Sequence, residues 1–144
     1  MAFCERLSEQ LGIVATVDPQ TGASAAITSD VVAMGMHRRA MFILQTGAGN
    51  TGGILVNIQE ANAGFTALTA TILTRAATAC VGLNSQYLFE VSAEAMGAGC
   101  TALRAVITPT ATPLLSLICL ADVERYHPAS DRDLASVVAI QAAN

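Results

Sequence analysis

Apolar and polar residues alternate along much of this chain. In residues 54–60, Ile54, Val56 and Ile58 share one side and Asn57 and Gln59 the other, the period of two that marks a half-buried strand. Residues 86–93 repeat the pattern, with Tyr87, Phe89 and Val91 set against Glu90 and Ser92. Residues 40–46 and 102–108 read as further strands, and the β-branched run 13–17 as another. Residues 65–74 admit strand or helix. Their threonines and the spacing of Leu68, Ala70 and Ile72 favour strand. The continuous apolar run 114–121 is the kind buried on both faces.

Turn chemistry separates these segments. Asp18-Pro19-Gln20-Thr21-Gly22 predicts a turn after the first strand, and the prolines at 109 and 113 exclude a helix across that connector. The Gly-rich segment 47–53 lies between two strands and predicts a hairpin of residues 40–46 with 54–60. Seven or eight short strands predict an all-β fold, an antiparallel β-sandwich of jelly-roll-like form in one domain. The expected division is residues 1–12 as an N-terminal arm or short helix, 13–124 as the sandwich and 125–144 as a C-terminal tail. Phe3, Leu7 and Leu11 would share one face of such a helix.

Composition adds a mismatch. Hydrophobic residues fill 53% of 144 positions and charged residues 12%, about half the charge of an ordinary soluble domain. No apolar run approaches the roughly 20 residues of a spanning helix, and residues 1–6 lack the basic start and apolar stretch of a signal peptide. The surplus is therefore expected against other protein subunits, with the chain made in a cytoplasm. All seven basic residues are arginines, scattered singly or as the pair Arg38-Arg39. With no basic stripe, direct nucleic-acid binding is disfavoured. Codon bias from a GC-rich genome explains much of the arginine usage, and a preference for interfacial ion pairs suits the rest.

No residues assemble a convincing catalytic, cofactor or metal site. The segment 47–53 lacks the lysine of a phosphate loop and leads into a strand. Cys119, Asp122 and His127 are the nearest local set for nucleophilic chemistry, but Cys119 reads as buried. Cys4, Cys80, Cys100 and Cys119 lack the clustering of a zinc site, and Cys80 and Cys119 read as buried free thiols. Glu90 with Glu94, or Glu60 with Glu124, reads as outward strand charge that keeps a sheet soluble. An enzyme is not expected.

One resemblance covers residues 29–138. Arg38-Arg39-Ala40-Met41-Phe42-Ile43-Leu44 precedes a Gly-rich segment and an Ile-x-Val-x-Ile-Gln-Glu strand. Leu103-Arg104-Ala105-Val106-Ile107-Thr108, an apolar strand and Arg125-Tyr126-His127-Pro128-Ala129-Ser130-Asp131 follow. This order resembles small virion structural proteins of tailed bacteriophages, in particular head decoration (cement) proteins. The resemblance implies a β-sandwich that binds the major capsid protein on an assembled head, often as a homotrimer. The expected partner interface comprises Phe3, Leu7, Leu11, Arg38, Arg39, Arg125, Tyr126, Asp131 and Arg132. A tail-tube or head–tail joining component is the alternative within that class. A small ligand- or glycan-binding sandwich is the alternative outside it, disfavoured by the absence of Trp and the scarcity of Tyr and Phe.

Overall fold

A computed structural model describes residues 10–122. Nine strands follow in order: β1 (Leu11–Thr21), β2 (Ile27–Thr28), β3 (Val32–Ala33), β4 (Arg39–Thr46), β5 (Ile54–Ala61), β6 (Leu68–Arg75), β7 (Ser85–Ser92), β8 (Ala102–Pro109) and β9 (Leu114–Asp122). Two short 3-10 turns occupy Ala77–Ala79 and Ala93–Ala95. A four-stranded sheet has the order β1-β9-β4-β7. A five-stranded sheet has the order β2-β8-β5-β6, with β3 following β2 along β8. Every pairing is antiparallel. The fold is thus an all-β antiparallel sandwich.

The alternation of the sequence becomes the core. Phe42 and Leu44 of β4, Leu115 and Leu117 of β9, and Phe89 and Val91 of β7 point inward from the four-stranded sheet. Ile54, Val56 and Ile58 of β5 meet them with Leu103, Ala105 and Ile107 of β8. Interdigitated inner faces of this kind join two twisted sheets into one hydrophobic layer.

Several expectations change. The hairpin of β4 with β5 does not form: β4 pairs β7 and β9, whereas β5 pairs β6 and β8. The Gly-rich segment instead carries the chain from one sheet to the other. It passes so close to its neighbours that a Cβ on Gly49, which has φ +84°, would lie 2.6 Å from the Thr112 carbonyl oxygen. Asn50 pins the crossing, its buried Nδ2 donating to the carbonyls of Cys80 and Gly82 at 3.0 Å each. Glycine and asparagine here serve a close approach and a tie, and not a two-strand turn.

The turn expected at residues 18–22 is likewise an irregularity within β1, where the register shifts between Val17 and Gln20. Pro19 is tolerated because β1 is an edge strand, whose outer N–H groups need no ladder partner. Leu11 and Gly12, placed in the arm by sequence, already belong to β1. Nor is β9 buried on both faces: Leu115, Leu117, Cys119 and Ala121 are buried, while Ser116, Ile118 and Leu120 between them are half-exposed and Leu114 is exposed.

Candidate interaction surface

Outward positions of the four-stranded sheet lie in rows, because residues opposite each other in a ladder share a face. One row is Ile13, Leu120, Met41 and Glu90, and the next is Thr16, Ile118, Ile43 and Leu88. Six of these eight side chains are apolar. Five are half-exposed, and Leu88 is 61% exposed. A polar row of Ser116, Gln45 and Gln86 bounds them at one end. At the other end Leu11 sits beside Asp122, and Arg39 beside Ser92.

Two shallow hollows mark this surface. Leu11, Met41 and Leu120 line one of about 210 Å³, with Arg39 and Glu90 at its rim. Ile13, Ile118 and the stem of the Asp18-Pro19 irregularity line another of about 240 Å³. Both walls are mostly apolar, so they suit knobs of apolar side chain and not a polar ligand.

The charged end is fixed by β9. The Asp122 carboxylate accepts from the backbone N–H of Arg38 at 2.8 Å and of Arg39 at 3.2 Å. The buried His37 ring donates from Nδ1 to the Asp122 carbonyl at 2.7 Å. A carbonyl only accepts, so Nδ1 carries the proton. These contacts leave the Arg39 guanidinium on the surface, where it meets Glu90 at 3.6 Å with both side chains largely exposed. Such a pair contributes little stability, but it holds both charges at the rim of the apolar rows.

Outward positions of the five-stranded sheet differ in character. Thr28, Val106, Asn57 and Thr74 form one row, and Arg104, Gln59 and Thr71 another. Arg104 donates to Gln59 at 2.9 Å and covers the Phe65 ring at 4.4 Å. Val106 and Leu55 are the apolar members among these neighbours.

No family model and no curated protein matches this chain. Among solved structures it is similar to a chain described by the words "Bacillus endospore appendages form a novel family of disulfide-linked pili". The identity is 16%, the TM-score 0.46, and the match covers 85% of this chain and 98% of that one. A likeness of that strength bears on no functional residue.

Of the residues expected at an interface, the fold brings Leu11 and Arg39 to one hollow. Arg38 lies next to it, with Ser92, Glu94 and Asp122 around a neighbouring depression. Phe3, Leu7, Arg125, Tyr126, Asp131 and Arg132 lie outside the described residues, as do Glu124 and His127. Sequence reasoning missed Met41, Ile43, Leu88, Ile118 and Leu120. Their signal is legible: each is apolar at the outward phase of an alternating strand.

The thiols sit as expected. Cys80, Cys100 and Cys119 are free, and Cys80 and Cys119 are buried. Burial pushes the Cys119 thiol far above its ordinary range, which favours the protonated thiol. Burial also raises Cys80, partly opposed by the positive charge and hydrogen bond of Arg75. Glu60 corrects the outward-charge reading. It is only 6% exposed, and its carboxylate accepts from the Gly97 N–H at 2.9 Å. Among the described residues, no three His, Cys, Asp or Glu side chains form a group that could hold a metal. None of the described helices is long and apolar enough to cross a membrane.

Proposed function

We propose that this chain is a structural subunit that joins a protein assembly through the outer face of its four-stranded sheet. The observation that carries this reading is the pair of apolar rows there, set between a polar and a charged row. Removing apolar surface from water contributes roughly 25 cal/mol per Å², and a repeating assembly multiplies a modest contact over many copies. Decoration of a tailed-phage head is the setting we favour, on the sequence resemblance given above. The nested pairing of β1 with β9, β2 and β3 with β8, β4 with β7, and β5 with β6 is that of one long hairpin rolled into two sheets. It supports the jelly-roll-like reading of the fold.

The test is binding to assembled, undecorated phage heads. Wild-type protein is expected to co-sediment with the shells to saturation, and Ile43→Lys to remain in the supernatant while still unfolding in one cooperative transition. Shells that take up both proteins equally, or neither, would refute the head-decoration reading.

A further inference from the structure

The outer face of the four-stranded sheet is complementary to itself. Consider a twofold axis running parallel to the strands, between β9 and β4. It reverses the strand order, so β9 of one copy lies over β4 of the other, while every row keeps its height. Leu120 then faces Met41 of the second copy, and Ile118 faces its Ile43. One row along, Ser116 faces Gln45. At the charged end, Arg39 faces Asp122 of the second copy. Apolar meets apolar, polar meets polar, and opposite charges meet twice. An axis across the strands would instead lay the charged end over Ser116 and Gln45.

The least favourable contact, Ile13 over Glu90, falls on the edge strands. Stacked sheets pack about 30° from parallel, which carries those corners apart and keeps the central strands in register. Strands about 4.8 Å apart and same-face residues about 6.8 Å apart give four strands by four rows a flat footprint of roughly 500 Å². A standard interface buries about 800 Å² on each partner, so the contact belongs with weak, reversible dimers.

We propose that the occupant of this face is a second copy of the same chain, docked by this twofold contact. The proposal rests on reading the face as an interface and names its partner. Isologous symmetry requires residue i to touch j and j to touch i, and the central rows satisfy that requirement.

Two singly substituted proteins test it. Met41→Arg and Leu120→Glu change half-exposed outward side chains, so both should still fold and unfold in one cooperative transition. Wild type followed by sedimentation equilibrium from micromolar to millimolar concentration is expected to pass from the 14.8 kDa monomer to twice that mass. Each variant alone should associate at least about thirtyfold more weakly, because each sets two added charges of like sign against apolar side chains of the second copy. An equimolar mixture should recover dimers containing one chain of each kind. In such a dimer the introduced guanidinium faces the introduced carboxylate across one half, and the native Leu120–Met41 pair remains in the other. Mixed dimers seen by native mass spectrometry would support the proposal. Wild type that stays monomeric would overturn it, as would a face capped by the chain's own terminal segments. A threefold mass, or variants that associate like wild type, would also overturn it. In any of these cases, head binding by wild type that is lost in Ile43→Lys would leave the decoration reading standing.

Discussion

The two outward faces of this sandwich are built on the same ladder geometry and carry opposite chemistry. Threonine, asparagine, glutamine and arginine dominate the five-stranded sheet, and Val106 is flanked there by Thr28 and Asn57. Across the molecule, Met41, Ile43, Ile118 and Leu120 stand together on adjacent strands. A lone protein in water gains from covering both sheets with polar residues. A sandwich that does so on one side only has a direction, and the apolar side is where the proposed partner would sit.

The comparison can be broken first from the inside. Phe42 and Ile43 are neighbours in β4 that point to opposite faces, and Phe42 is fully buried. Phe42→Ala should lower unfolding free energy by about 3–5 kcal/mol in urea titrations. Ile43→Lys should cost about 1 kcal/mol or less, because Ile43 packs on a surface. Equal losses at the two positions would mean that the outer face is a second core. A smaller effect is expected from Glu60→Ala, which leaves the Gly97 N–H without its carboxylate: about 1–3 kcal/mol by the same titration.

A pH comparison sharpens the same point. Burial raises the folded Cys119 pKa above its ordinary value of 9.0, so the folded chain holds this proton more tightly than the unfolded chain. The stabilisation is fully present below pH 9.0 and is lost as pH rises beyond it. Urea midpoints at pH ~8 and ~10.5 should therefore fall less in Cys119→Ala than in wild type. An unchanged slope would show that the inner face admits water at Cys119. The smallest effect is expected on the polar face. Asn57→Lys should alter neither association by sedimentation nor the melting temperature beyond about 0.5 kcal/mol equivalent, and a loss of assembly there would reverse the assignment of the two faces.

The strands themselves were legible in the sequence, because alternation reports which side chains share a face. Tyr87, Phe89 and Val91 face inward as their spacing predicts. Partnership between strands was not legible. The segment 47–53 has the composition of a hairpin turn, and nothing local distinguishes a turn from a crossing between sheets. Pro19 shows the same limit, since an edge strand accommodates what a central strand would reject. In β9 the misreading carries information. Residues 114–121 look buried on both faces because Ile118 and Leu120 are apolar on a side that the chain itself leaves half-exposed. On the proposed function, that hydrophobicity is what a neighbouring subunit would cover. Outside 10–122 the expected interface rests on helical spacing at Phe3 and Leu7 and on the charges around Arg125, Asp131 and Arg132, and neither signal fixes where a segment packs.

The nested strand order has a temporal consequence. Among the described strands, only β5 and β6 are both consecutive in the chain and paired with each other, so this hairpin is expected to close first. The β4–β7 pairing is then expected to wrap around it and β8 to arrive later, and β9 must wait until residues 114–122 have been synthesised before it can insert between β1 and β4. Two of the four strands that make the apolar face are held apart until that last step. The paired apolar rows therefore do not exist until β9 is in place. They form only on completion of the fold, and on the proposed function that would let subunits meet only once each is finished.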